Sequence, residues 1–309
     1  MTASVAAPTG QKLEWLARIG YASRALVYIL AGLLSLSAAL EGGRSAGPKG
    51  AFGKVIQVPF GDILLYCIAL GLICFAVWRT TQAIYDPDRF NRGPSSALRR
   101  LIVYGGSAFI HFGLAVAAIN VAFVKRSADE DREARDWTAW LLSQPFGRAL
   151  TMIVGLGIAI AGLAFVFQAF KAEFRKNLME YKNEKKWIVT LGRIGFAARG
   201  VVFILVGCFL IIAGWFHDPR QATGVAGALK AMQNSDFGAP LLAVTAAGLF
   251  CFGLFELGQA VWRRIAPASN LSAVMQMARA HRQRGARELR RDLSGALLLL
   301  DGTRFHLPG

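Results

Sequence analysis

One acid stands inside an apolar run. Glu256 lies in a segment, about Phe237 to Trp262, built mainly from Leu, Ala, Gly, Val and Phe. A charge in hydrocarbon costs about 2.5–3.5 kcal/mol on insertion scales, so a carboxylate there must pair with a base or bind a proton or cation. Three bases are within reach of a pairing scheme: Arg24, Arg79 and Arg199, each a turn or two into another apolar run. Pairing that locks helices together is the expected role. The three arginines also sit near enough to the ends of their runs to snorkel into headgroups. Gln82, Gln168 and Gln259 recur at equivalent places and can form an inner polar ring or plain interhelical hydrogen bonds.

His111 is near the middle of another run and offers proton relay or metal ligation. No second histidine falls in a run, so a packing histidine bonded to a neighbouring carbonyl is the simpler expectation. Cys67, Cys74, Cys208 and Cys251 all lie in apolar runs without a C-x-x-C, which removes the zinc and thioredoxin spacings. They read as buried apolar thiols. No G-x-S-x-G, H-E-x-x-H, Walker loop or dinucleotide fingerprint is present. No catalytic residue, metal or cofactor is expected, and the protein reads as a non-enzyme.

The elements that hold these residues are six apolar segments of about 20 residues or more: Gly20–Leu40, Ile63–Ala83, Leu101–Val124, Ala149–Phe170, Ile194–Phe216 and Phe237–Trp262. Each is long enough to cross about 30 Å of hydrocarbon as a helix. The first also has the outline of a signal peptide, with Lys12 and Arg18 ahead of it and Ser37-Ala38-Ala39 at its end. The repeat described next makes it part of the fold. Composition agrees with a bilayer: 17% charged residues and a mean hydropathy of +0.41 leave too little charge for an aqueous surface.

The chain repeats itself. Arg18, Gly20, Tyr21, Arg24, Tyr28 and Gly32 return 175 residues later as Arg193, Gly195, Phe196, Arg199, Phe203 and Gly207. Phe60-Gly61, Phe146-Gly147 and Phe237-Gly238 open three copies of a second helix. Gly71, Gly157 and Gly248 follow, and Gln82-Ala83, Gln168-Ala169 and Gln259-Ala260 close them. The middle unit is degenerate: Phe109 and Gly113 match Tyr28 and Gly32, but Gly105 replaces the arginine. Two spans per unit give three parallel out-and-back hairpins. The expected fold is an all-α integral membrane protein of six transmembrane helices, closing into a pseudo-threefold bundle or extending in a line. The units run 15–86, 87–175 and 176–264, with tails 1–14 and 265–309.

The pattern A-R-x-G-Y-x-x-R-x-x-x-Y at Ala17 to Tyr28, P-F-G at Pro59 to Gly61, Gly71-Leu72 and Gln82-Ala83 resembles a bacterial membrane family catalogued as domain of unknown function 1206. The resemblance covers about residues 15–262 and implies three such membrane repeats. It supplies no reaction, ligand or catalytic residue.

The glycine stripes, Gly20 to Gly32 and Gly71 to Gln82, read as helix–helix contacts. With the N-terminus inside, inner segments carry 25 of the 35 Lys and Arg and outer loops 10, while Asp and Glu divide 10 to 9. Both termini are then expected in the cytoplasm, in a bacterial inner membrane. Trp15, Trp78, Trp187 and Trp262 fall at inner ends and Trp137, Trp140 and Trp215 at outer ones, as interfacial belts. Short interfacial helices are expected near Ala51–Ile56, Trp137–Leu142 and Val225–Met232. The run Asp129-Glu130-Asp131-Arg132-Glu133 reads as a solvated face.

The tail combines Leu271, Val274, Met275 and Ala278 with Arg279, Arg282, Arg284, Arg287, Arg290 and Arg291. Such a segment fits anionic lipid headgroups at the inner leaflet. A protein partner is the rival, and nucleic acid is not expected. The function expected overall is a structural or accessory membrane protein binding a partner or lipid. Ion or small-solute permeation through the bundle is the alternative, and a lipid-modifying enzyme is a remote third.

Overall fold

The computed structural model describes residues 7–41, 45–85, 97–125, 129–172, 174 and 186–263. Its long helices are α1 (Ala7–Glu41), α3 (Gly61–Tyr85), α4 (Gly106–Val124), α6 (Gly147–Lys171), α7 (Lys186–Phe216) and α9 (Gly238–Trp262). Three short helices, α2 (Pro48–Val55), α5 (Glu130–Leu142) and α8 (Val225–Gln233), each precede the second long helix of a unit. One α turn, Ala97–Arg100, and a π-helical stretch, Leu101–Gly105, lead into α4. The fold is all-α, with six helices long and apolar enough to cross a membrane.

The repeated Phe-Gly has a local cause. The short helix must turn back at once into a long one. At each turn the glycine N–H donates to a carbonyl just upstream: Gly61 to Val58, Gly147 to Gln144 and Gly238 to Ser235, at 2.8–3.0 Å. A Cβ on any of the three would strike the carbonyls that end the short helix. In two of the turns the phenylalanine takes a left-handed conformation, at φ 60° for Phe60 and 61° for Phe146.

The long helices pack in a chain of neighbours: α4 on α3, α3 on α1, α1 on α9, α9 on α7 and α7 on α6. A closed pseudo-threefold ring would need one more interface, between α4 and α6. These two helices do not pack together among the described residues. The arrangement is therefore an open six-helix array, unsealed between its end helices α4 and α6, which both belong to the degenerate middle unit.

Glycines mark the sealed contacts and the missing one. Gly20 abuts Phe75 and Gly195 abuts Phe252. Gly71 abuts Ser23, and Gly248 abuts Ala198. These are equivalent pairs inside the first and third units, where absence of a Cβ lets backbones approach. The middle copies, Gly113 and Gly157, have nothing within 4 Å of an added Cβ. Without partners for them, α4 and α6 have no small-residue seam to close.

Two expectations are corrected. Trp78 is 1% exposed and packs with Ala17, Tyr21 and Phe75 instead of joining an interfacial belt. Cys67 and Cys208 are exposed on the array's surface, whereas Cys74 and Cys251 are half-buried. Trp262 is half-buried against Ile188 and its neighbours, whereas the belt tryptophans Trp15, Trp137, Trp140, Trp187 and Trp215 are exposed as expected.

A Cβ at Gly195 would lie 2.5 Å from the Phe252 Cα, whereas Gly157 faces open space. Gly195→Ala should therefore lower stability by about 1–3 kcal/mol through overpacking. Gly157→Ala should stay within about 0.5 kcal/mol of the parent. Thermal unfolding of the two variants in one detergent checks the contrast, and equal losses would refute the open seam.

Candidate functional site

The interior polar groups come from α1, α3, α4, α7 and α9. Helical spacings of three and four put Tyr21, Arg24 and Tyr28 on one face of α1, and Phe252, Glu256 and Gln259 on one face of α9. Of the three bases expected for Glu256, the structure selects Arg24. Its Nη1 donates to Glu256 Oε2 at 3.1 Å, with the carboxylate 1% exposed and Arg24 buried. The pair ties the first helix of the first unit to the last helix of the third. Because α1 and α9 are 232 residues apart at this point, the bond fixes how the ends of the array meet.

The arginines are walled by rings. The Arg24 guanidinium lies 5.0 Å from the Phe75 ring centre, 5.1 Å from that of Phe252 and 5.6 Å from that of Tyr28. Arg199 faces Phe165 at 4.4 Å, Phe203 at 5.0 Å, Phe252 at 5.1 Å and Tyr28 at 5.5 Å. The negative ring faces stabilise a desolvated cation by about 2 kcal/mol or more each. Both arginines are thus buried inside the array, and the snorkelling expectation is corrected for them. Arg79, half-buried, lies over Phe75 and Tyr104 and donates to Gln82 Oε1 at 3.1 Å. Tyr104 belongs to the π-helical stretch.

Gln259 plays the matching part at the end of α9, accepting from Arg263 Nη1 at 2.7 Å. Arg263 also lies over Tyr21. Gln82 and Gln259 therefore each accept from an arginine. Gln168, the third member of the expected ring, is half-buried on α6 and makes no side-chain hydrogen bond among the described residues. His111 is buried; its Nδ1 is 2.7 Å from the Ser107 carbonyl, and its ring tilts on Phe75 at 4.6 Å. Among the described residues no group of three His, Cys, Asp or Glu side chains is placed to hold a metal. The tail arginines Arg279, Arg282, Arg284, Arg287, Arg290 and Arg291 lie outside the described residues.

A second constellation sits at the short-helix end, and sequence reasoning missed it. The run at the start of α5 is no solvated face. Asp129 caps α5 itself, accepting from Asp131 N and Arg132 N. Glu130 Oε1 accepts from Lys49 N at 2.5 Å and Gly50 N at 3.1 Å, and Oε2 accepts from Ala226 N at 3.1 Å. Asp131 Oδ1 accepts from Thr223 Oγ1 and from Gly224 and Gly227 N. Both α2 and α8 start at a glycine, with no side-chain cap of their own. The middle unit thus supplies in trans the caps that the other two units lack, and Lys49 Nζ adds an ion pair with Glu133. These contacts span 80–96 residues, so no local pattern announces them.

Burial pushes the Glu130 carboxyl above the usual carboxylate range, against the pull of its backbone donors and Lys49. A carboxyl raised on folding contributes stability that is complete below its unfolded range and falls as pH rises through the raised value. The stability of the parent relative to Glu130→Gln should therefore shrink as pH rises above the unfolded Glu value of about 4.3. Paired melts at rising pH check this, and a difference that grows with pH would contradict it. For the interior pair, Glu256→Gln should cost about 3–5 kcal/mol by leaving Arg24 buried without its counter-charge. The double variant Arg24→Met with Glu256→Leu should recover most of that loss, measured as a double-mutant cycle.

Comparison with known proteins gives a family but no chemistry. A protein of Bacillus subtilis (strain 168), described as the uncharacterized protein YxxB, is 29% identical over 251 residues, covering 80% of this chain and 90% of its own. No solved structure matches the chain. The family model described as Domain of Unknown Function (DUF1206) matches three times, at residues 19–86, 102–172 and 194–263, one match for each two-helix unit. With more than half of its length matched in this way, the chain belongs to the DUF1206 family of three-repeat membrane proteins.

Proposed function

We propose that this protein is a structural or accessory component of a bacterial inner membrane, with both termini in the cytoplasm, and that it acts by binding rather than by catalysis. The carrying observation is the buried Arg24–Glu256 pair. The acid that would serve a proton or cation path is engaged with a base and enclosed by Phe75, Phe252 and Tyr28. The cavity on the outward side of Arg199 is about 20 Å³ at water centres, room for about one water. Permeation needs a continuous wet file, and this geometry favours a dry scaffold instead.

The scaffold offers two binding features. One is the unsealed α4–α6 seam, where Gly113 and Gly157 would admit a close-packing membrane helix. The other is the arginine-rich tail, suited by charge to anionic headgroups, at about 1 kcal/mol per basic residue near the surface. The excess of Lys and Arg at the tail end supports its cytoplasmic placement.

Two measurements test this reading. Proteoliposomes should pass protons, cations and small solutes no faster than protein-free vesicles. Flux above that level that disappears in Glu256→Gln would overturn the proposal in favour of permeation. In native membranes, a photo-crosslinking side chain at Gly157 should give an adduct of discrete mass that the same group at lipid-exposed Leu163 does not give.

A further inference from the structure

The described interior holds more positive charge than its acid can balance. Within the long helices Arg24 and Arg199 are buried, as is Arg263 at the end of α9, and Arg79 is half-buried, against one buried carboxylate, Glu256. Arg24 takes that carboxylate, Arg79 has Gln82 and Arg263 has Gln259. Arg199, 8% exposed, makes no hydrogen bond or ion pair among the described residues, and its buried Nε has no acceptor. Aromatic faces stabilise a guanidinium but accept few of its five directed N–H groups. A buried charge without a hydrogen-bonding counter-ion is costly, and more so in a bilayer.

Arg199 lines a cavity of about 20 Å³ at water centres. Tyr28 lines it as well, and its hydroxyl makes no hydrogen bond among the described residues. From the other side come Pro48 and Val225, the first residues of α2 and α8, whose leading N–H groups at Lys49, Gly50 and Ala226 are already taken by Glu130. In a mostly apolar lining, a guanidinium without a counter-ion adjoins room for one small occupant. We propose that this cavity is a binding site for a small monovalent anion of halide or nitrate size, held by Arg199 with Tyr28 as a second donor. The space is too small for a phospholipid headgroup, and water would fill it without balancing the charge. This inference does not rest on the accessory role, since a resident anion is compatible with either function.

The test uses the full chain purified in a neutral detergent. Sodium gluconate is replaced by chloride, bromide or nitrate at constant ionic strength. Thermal stability should rise saturably with the small anions, following ln(1 + [L]/Kd). Chlorine-35 resonance should broaden on adding protein, and bromide should compete the broadening away. Arg199→Met should bring the linewidth down to that of protein-free buffer and abolish the anion-dependent rise. If that variant does not fold, Ala31→Leu, which fills the cavity and leaves the arginine in place, should give the same two losses. Unfolding that is indifferent to the anion in the parent, or broadening that survives in the folded variants, would overturn the site.

Discussion

A charge inside a bilayer must find its partner within the protein, and the rest of this structure depends on how that requirement is met. Glu256 on α9 and Arg24 on α1 meet at 3.1 Å, joining the two ends of the chain's membrane region. Such a pair adds little net stability over an apolar replacement, because desolvation offsets the attraction. Its larger effect is on uniqueness. Any slip of α1 along α9 by one turn, about 5.4 Å, would strand both charges. The aromatic wall of Phe75, Phe252 and Tyr28 extends the same logic, since those rings come from three different helices and are oriented around the guanidinium.

The three units share a plan but divide the labour. The first and third keep the arginine, the aromatic four residues on and the close glycine contacts. The middle unit has given up its arginine for Gly105 and has Ala161 where the others place Phe75 and Phe252. Its two long helices consequently lack the arginine and the ring that join the hairpins of the other units, and they part. What the middle unit retains is at the other end of the fold, where Glu130 and Asp131 hold the starts of α2 and α8. It is the clamp for the other units while its own hairpin stays open.

Much of this was legible in the sequence, for a physical reason. Span length follows from hydrocarbon thickness, repeat identity from spacing, and the packing role of glycine from the absence of a Cβ. All six long helices and the three short ones overlap the segments those rules chose, though α1, α5 and α7 start at Ala7, Glu130 and Lys186, well ahead of the expected Gly20, Trp137 and Ile194. Choosing Arg24 over Arg199 and Arg79 was beyond those rules, because depth along a helix says nothing of rotation between distant helices. Trp78 misled for a related reason. Its position near a span end matches an interfacial belt, but its face of α3 turns to Tyr21 and Phe75. Glu130 was hidden most completely, since a carboxylate run beside arginines on a polar helix looks solvated until the uncapped starts of α2 and α8 are brought to it. The unguarded Gly47 and Gly224 before those helices were the available signal.

The clamp and the interior are mechanically linked through the same two helices. Pro48 and Val225 face the cavity beside Arg199, while the next residues, Lys49 and Ala226, donate to Glu130. A change of one residue's spacing in either short helix therefore alters both the space above Arg199 and the grip of Glu130. Thr223 and Gly227, held by Asp131, leave α8 little freedom to move without α5. The unsealed α4–α6 seam lies in the unit that carries this clamp, with α4 and α6 flanking α5 in the chain.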